Sequence, residues 1–539
     1  MAKFDLTREP WIRVRKGTDV FEVSLRDVFK NAHEIGALSG ELATQDAAML
    51  RLLLAVLYAI FTRVDVNGRD APLEDYNDAI QRWHELWEKG SFPGSVIDKY
   101  FDEFADRFDL FDETRPFMQV PFGAANDDNG EAEAMCRDGT IICPFVLSNA
   151  AFIGDISDSN AINLFARRNG DNPISFAQAA RWMIHLNSFA VSPPGRQPKG
   201  KKKIQGYGLP WPARFDIIYA EGGNLFETLM FNFALWVNEA PVNLFIPPWE
   251  ENALITADDL LNVKLQVPNN TGKLFATVFR WAQLVLTDDG NMVNGCNVWS
   301  GGKFPDDAPI LCETMAALHE AKKYKPKKSD ATKQLWRDFG ALTSGSTGIS
   351  RWISNELKLR AIVRMQIVNM TYAKNTRVSG CFSDSLTLNA KLLSELGKAW
   401  ANDITRLLSH TDQAVKSLGD LTEDLFRASG GSKILKEGNR TMEQAYYELD
   451  EPFREWLLGI DPDRSDPINT SNSWKRTAKQ IITREGDKLV SQVGNKAFVG
   501  RFVKEAGIKD KARYMSAPQA YEKFKKELKK ILGGEELNG

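Results

Sequence analysis

Hydrophobic positions along the chain fall into blocks of two different periods. From Thr44 to Thr62, the residues Met49, Leu52, Leu53, Val56, Leu57 and Ile60 recur at helical spacing and make a broad apolar stripe. That stripe predicts a core helix. A second helix is predicted from Tyr76 to Lys89, with Ile80, Trp83 and Trp87 on one face. A third is predicted from Ile174 to Phe189, with Phe176, Ala180, Met183 and Ile184 turned inward. Leu225 to Trp236 reads as a buried helix. Leu274 to Leu286 is a further apolar run, closed by turn chemistry at Asp288-Asp289-Gly290. Strand signals lie around these blocks. Phe4 to Val14 and Val20 to Val23 predict a small N-terminal sheet, and Leu357 to Met370 has strand character.

After Gly380 the strand signals stop and heptad-like spacing takes over. Leu393, Leu396, Trp400 and Leu407 share one face. So do Met442, Tyr446, Leu449, Phe453 and Trp456, in a helix that Pro452 should kink. Tyr521, Phe524, Leu528 and Ile531 line a last helix that Ser516 and Pro518 can start. The expected fold class is α+β: a large mixed domain over residues 1–378, then a C-terminal bundle of four helices over 379–539.

Two segments have no periodicity. Gly154 to Asp171 is small and polar, and loops of that length inside a domain are usually functional or disordered. Ser192 to Trp211 holds Pro193, Pro194 and Pro198 with Gly195, Gly200, Gly206 and Gly208, which forbid a long helix or a central strand. This loop carries Arg196, Lys199, Lys201, Lys202 and Lys203. Glycine lets main chain approach closely and lysine attracts phosphate without regard to sequence, so the loop suits a nucleic-acid backbone. A solvated surface loop has the same composition. Ser300-Gly301-Gly302-Lys303 is a second glycine–lysine turn. Lys322 to Lys328 is a second basic cluster, and Tyr372 to Arg377 is a polar segment behind the strand-like run.

Net charge is −3 over 539 residues, so any nucleic-acid contact has to come from such local patches. Cys136, Cys143, Cys296, Cys312 and Cys381 contain no CxxC pair, which argues against a disulfide scaffold or zinc ribbon and fits a reducing compartment. No apolar leader opens the chain, and polar residues are expected to interrupt every apolar run before membrane-spanning length. The expectation is a cytoplasmic protein without a membrane partner.

Catalytic motifs are weak. Gly195 to Lys202 nearly matches a phosphate-binding P-loop, but lysine stands where the magnesium-binding hydroxyl belongs, and a helix precedes it where a strand should. His33, His84 and His319 each precede glutamate, yet Ala37, Glu88 and Lys323 occupy the position that would complete a zinc-protease HExxH. His185, inside an apolar helix, reads as a hydrogen-bonded core residue. No catalytic residue, metal or cofactor is assigned. A phosphate-handling enzyme built on Gly195 to Lys202, and a pure scaffold protein, are the alternatives to nucleic-acid contact.

Phe4-Asp-Leu-Thr-Arg-Glu-Pro-Trp-Ile-Arg-Val14, His33 to Gly40, Arg115-Pro-Phe-Met-Gln119, Gly222 to Phe231 and the helical tail together resemble the CasA-type large subunit of the type I-E CRISPR Cascade complex, over nearly the full length. The resemblance implies a non-enzymatic subunit with four kinds of partner: the other Cascade subunits, the crRNA 5′ handle, double-stranded target DNA and a helicase–nuclease. It would read the protospacer-adjacent motif (PAM) and help start strand separation. By the same resemblance, the segment Asn160 to Arg168, with Asn163 and Phe165, is expected to meet the crRNA handle. Gly195, Arg196, Lys199, Gly200, Lys201, Lys202 and Lys203 are expected at the PAM, and Lys303 in the minor groove. Lys374, Asn375, Thr376 and Arg377 are expected to form a wedge between the first base pairs. The loop after Gly195 is poorer in glycine than the family's, and Thr376 stands at a glutamine position, so a relaxed or different PAM preference is expected.

Overall fold

The computed structural model describes residues 2–120, 134–135, 141–142, 145–148, 173–190, 208–237, 239–242, 245–251, 264–300, 302–306, 308–319, 325–326, 328, 333–343, 348–357, 362–372, 378–394, 397–431, 436–504 and 512–533. The chain packs as two units. One combines Met1–Thr332 with Gly345–Lys358 and Val363–Ser385; the other combines Lys333–Ser344 and Leu359–Ile362 with Leu386–Gly539.

The first unit opens on a hairpin. β1 (Ile12–Lys16) and β2 (Asp19–Val23) pair antiparallel across Gly17, whose φ of 60° is the left-handed conformation that glycine adopts without strain. Helix α1 (Leu25–Lys30) follows, capped by the Ser24 hydroxyl, and β3 (Ala37–Leu38) closes the other edge of β1. Helix α2 (Ala43–Phe61) is the centre of the core, with every residue except Ala43 and Asp46 buried. α3 (Tyr76–Lys89) begins in a reciprocal Asp75–Asp78 capping box and stops at Gly90, again with positive φ. α4 (Gly94–Glu103) comes next.

The rest of this unit includes two further three-stranded sheets and several short helices. In chain order it contains β4 (Phe145–Ser148), α5 (Phe176–Phe189), β5 (Ile217–Glu221), α6 (Leu225–Asn232), α7 (Thr271–Ala276), β6 (Trp281–Leu286), β7 (Val293–Ser300), β8 (Ile362–Tyr372) and β9 (Val378–Asn389). The sheets run β6-β7-β4 and β9-β8-β5.

One polar cluster lies inside this core. Arg51 of α2 donates two parallel bonds, 2.9 and 3.0 Å, to the carboxylate of Glu313. The Trp211 indole N–H and the Met315 backbone N–H donate to the same carboxylate at 2.8 and 2.9 Å. The guanidinium stacks 4.0 Å from the centre of the Phe275 ring. Every lone pair is used, the condition under which a buried ion pair is tolerated.

In the second unit α8 (Lys398–Ser429) is the central rod. It packs on α9 (Lys436–Leu458), α10 (Pro467–Gln492) and α11 (Ala517–Leu532). The protein is therefore mixed α+β with a C-terminal helical bundle. A hairpin of β10 (Arg501–Lys504) and β11 (Ala512–Met515) sits between α10 and α11. Trp336, Phe453 and Trp474 form the aromatic centre, with ring centroids 4.9 and 5.0 Å apart along the series. α10 and α11 approach so closely at Gly486 that a Cβ there would lie 2.6 Å from the Phe524 ring. The inward stripe of α11 is Ala520, Phe524, Leu528 and Leu532, one residue away from the expected Tyr521 and Ile531 at its two ends.

Several local expectations are corrected. Strand signals do not stop at Gly380: β9 runs to Asn389, held by its pairing to β8 rather than by its own mostly polar residues. The buried helix expected to reach Trp236 ends at Asn232, whose side chain bonds both backbone groups of Ala220 in β5, at 3.0 and 2.7 Å. The run from Leu274 to Leu286 divides into α7 and β6. α2 is long and apolar enough by composition to cross a membrane, contrary to the expectation that every such run is interrupted; 94% of its apolar window is buried in the protein itself.

Candidate nucleic-acid interface

The last turn of α5 contains no basic residue of its own, so its terminal carbonyls need partners from elsewhere. Two side chains distant in sequence supply them. The Tyr372 hydroxyl donates to the Phe189 carbonyl at 2.7 Å, and the Arg280 Nε–H donates to the Ala190 carbonyl at 2.9 Å. Arg280 is fully buried. Its other nitrogens donate to the Phe279 carbonyl at 2.8 Å and the Gly208 carbonyl at 2.7 Å, while its backbone N–H meets Asn187 Oδ1 at 3.0 Å. Burial pulls its pKa down to about 9, with Arg214 pressing the same way, so it is still a cation at neutral pH. Burial raises the Tyr372 pKa, which keeps that hydroxyl a donor. A cation at a helix C-terminus also meets the negative end of the helix dipole. Residues 190 and 208 bracket the loop's basic residues, so a single guanidinium holds the chain on both sides of them.

The loop's exit is tied to Lys303. After Gly208 the chain makes a short turn, Pro212–Arg214, in which Arg214 Nε–H donates to the Leu209 carbonyl at 3.2 Å. Arg214 lies 3.8 Å from one oxygen of Asp306, and Lys303 Nζ lies 2.9 Å from the other. Lys303 bridges in parallel to Lys264, and its carbonyl accepts from the Leu265 N–H at 3.0 Å. The close approach explains Gly302, where a Cβ would lie 2.3 Å from Leu265 Cγ. Next to Lys303, the buried Phe304 packs on Phe279 and Trp211, with centroids 5.4 and 6.1 Å away.

The stem of the β8–β9 hairpin joins the same region. Lys328 Nζ donates to the Met370 carbonyl of β8 at 2.8 Å and to the Ala213 carbonyl at 3.1 Å, and lies 5.1 Å from the Tyr372 ring centre. A lysine that composition assigns to a surface cluster thus joins the hairpin stem to the loop's exit. A separate strand, β7, pairs with the described residues on either side of 149–172. β4 pairs with β7 so that Ser148 lies opposite Gly295, and Ile174 exchanges two 2.9 Å hydrogen bonds with Val293. Ser148 and Ile174 are therefore held beside the same strand, at positions two residues apart.

Of the predicted site residues, Lys303 is described, and it is paired with Asp306. Gly195, Arg196, Lys199, Gly200, Lys201, Lys202 and Lys203 lie outside the described residues, as do Lys374, Asn375, Thr376 and Arg377, and Asn163 and Phe165. What the structure brings together is the set of anchors at the bases of the basic loop, Lys303 and the hairpin. Sequence reasoning missed those anchors: Arg280, Tyr372, Lys328, Arg214 and Asp306. One signal could have found Arg280, since a lone arginine inside the apolar run from Leu274 to Leu286 implies a buried cation with built partners. His185 is the core residue expected, 3.0 Å from the Thr44 hydroxyl, and burial drives its pKa down to about 3.

A family model described as CRISPR-associated protein Cse1 matches residues 5–484. A protein described as CRISPR-associated protein CasA/Cse1, from Thermus thermophilus, is 29% identical over 350 residues, 64% of this chain. The match spans 60% of that relative's length. Among solved structures, Thermobifida fusca Cse1 superposes with a TM-score of 0.78 at 25% identity, covering 98% of each chain. A chain in a structure described as a CRISPR RNA-guided surveillance complex superposes with a TM-score of 0.69 at 17% identity, covering 98% of this chain and 100% of that one, a likeness of fold.

Proposed function

Because the chain belongs to the family of CRISPR-associated protein Cse1, we propose that it is the non-catalytic DNA-recognition subunit of a crRNA-guided surveillance complex. In this reading it binds the PAM of the target duplex, promotes strand separation and R-loop formation, and helps recruit the helicase–nuclease. One observation carries the reading: the stems of the basic loop, the Lys303 segment and the β8–β9 hairpin are held by one set of side chains. A PAM reader that also opens the duplex needs cations on the phosphates, a probe in the minor groove and a wedge beside it.

Each part has a physical role. Lysines 201–203 supply sequence-independent attraction to phosphate. Lys303 is held by an exposed carboxylate, and such pairs contribute only about 0–1 kcal/mol, so its ammonium can exchange Asp306 for DNA at small cost. Asn375 can hydrogen-bond an exposed base edge, and Lys374 or Arg377 can hold the adjoining phosphate. Thr376 is too short to fill a base-sized gap alone. Phe165, with Asn163, would stack on or bond the crRNA handle.

The wedge gives the sharpest test. Opening the first base pairs costs a few kcal/mol of unstacking, which side chains in the gap must offset. Asn375→Ala with Arg377→Ala is expected to leave affinity for PAM-bearing duplex nearly unchanged and to slow R-loop formation on fully paired DNA. A target with those pairs already open should restore the rate. Failure of the bubble to rescue, or an unaffected opening rate, would reduce the segment to an ordinary turn.

A further inference from the structure

We infer that Tyr372 and Arg280 are a pair of positioning residues that couple PAM binding to strand opening through the C-terminal turn of α5. The inference rests on the DNA-recognition reading above and adds to it a physical link between two of its parts. The acceptors are consecutive: Tyr372 donates to the carbonyl of Phe189, and Arg280 to the carbonyl of Ala190. Tyr372 is the last residue of β8, so its hydroxyl fixes the base of the hairpin tip. Arg280 holds residues 190 and 208 together, so its guanidinium fixes the base of the basic loop.

Neither residue needs to touch DNA. Two adjoining peptide units that accept from these donors cannot shift toward one without disturbing the bond to the other. Both bonds are sheltered, and leaving either carbonyl without its donor is costly, so the two bases move together or stay together. A load on the loop from bound phosphate therefore reaches the hairpin through residues 189 and 190. Lys328 braces the same hairpin strand at Met370 and the loop's exit at Ala213, a second link between the two stems.

The test is a double-mutant cycle in the assembled crRNA-bearing complex. One arm is Tyr372→Phe, which removes a single oxygen and keeps the ring. The other replaces Lys201, Lys202 and Lys203 by alanine. The probes are a guide-matched duplex carrying the best-bound PAM from a randomised library and the same duplex with its first base pairs unpaired. Tyr372→Phe alone should slow opening of the paired duplex about three- to tenfold, the loss of one hydrogen bond, and leave the unpaired duplex unaffected. The two changes together should depart from the product of the single effects by more than about threefold, whereas independent sites combine to within about twofold. Arg280→Lys keeps the charge but not the three-way fork, and should reproduce the Tyr372→Phe defect.

If both arms weaken the complex but combine as independent changes, the coupling is wrong while the loop remains a DNA-binding element. If the lysine variant alone leaves DNA affinity untouched, those lysines carry no load from DNA and the coupling is overturned, while PAM reading by the chain is judged separately by PAM discrimination with and without it. A Tyr372→Phe protein that melts earlier yet opens duplex at the normal rate would make the hydroxyl purely structural and overturn the inference.

Discussion

Glu313→Ala is expected to destabilise the first unit by about 3–5 kcal/mol, the cost of leaving a buried charge without its partner. Arg51 would be left 3% exposed beside an empty carboxylate position. The Trp211 indole and the Met315 N–H would lose their acceptor in the same step. Glu313→Gln is the informative comparison. It keeps an oxygen for some of these donors but removes the charge and adds a competing N–H, so an intermediate loss is expected. Denaturant midpoints at a constant slope measure both. Equal stability of the alanine variant and the parent would mean that the cluster relaxes or hydrates without cost. The effect also reaches function, because Trp211 stands at the exit of the basic loop: a weakened Glu313 bond loosens the loop's base from the core.

Replacing Lys201, Lys202 and Lys203 by alanine is expected to weaken binding to every DNA sequence by a similar factor. Each lysine–phosphate pairing that disappears lowers the slope of log affinity against log salt by about 0.9, so removing all three flattens it by about 2.7. Titrations at several salt concentrations, with PAM-bearing and PAM-free duplexes, separate this effect from a loss of readout. An unchanged slope would leave these lysines as a solvated surface. A drop confined to PAM-bearing DNA would assign them to specific recognition instead of general attraction.

The fold was legible where local chemistry and tertiary packing agree. α2 and α3 follow their apolar stripes, and α3 has its own start and stop signals in Asp75, Asp78 and Gly90. The small N-terminal sheet is present, with Val20 to Val23 in its second strand, although its first strand begins at Ile12 and not at Phe4. Legibility ended where a contact with a neighbouring element, and not the segment's own pattern, decides. Asn232 stops α6 because Ala220 offers a backbone pair, and β9 persists because β8 lies beside it. The periodicity of the segment alone contains neither fact.

The site divides in the same way. Its charge and glycine content could be read directly, since cations and flexible turns are local properties. Its anchors could not. Arg280, Lys328 and Tyr372 come from distant segments and act on backbone carbonyls, which carry no sequence signal. Lys303 shows the converse: a glycine–lysine turn in the sequence proves to be a bridged segment whose glycine is demanded by Leu265.

Whether this chain gives a crRNA-guided complex its reading of the PAM is decided most directly by one affinity comparison. Guide-matched duplexes with and without a PAM are titrated against the complex assembled with this chain and without it. PAM discrimination should be present with the chain and absent without it, at one fixed salt concentration. Equal discrimination in both assemblies would place PAM recognition in another subunit and contradict the proposed function.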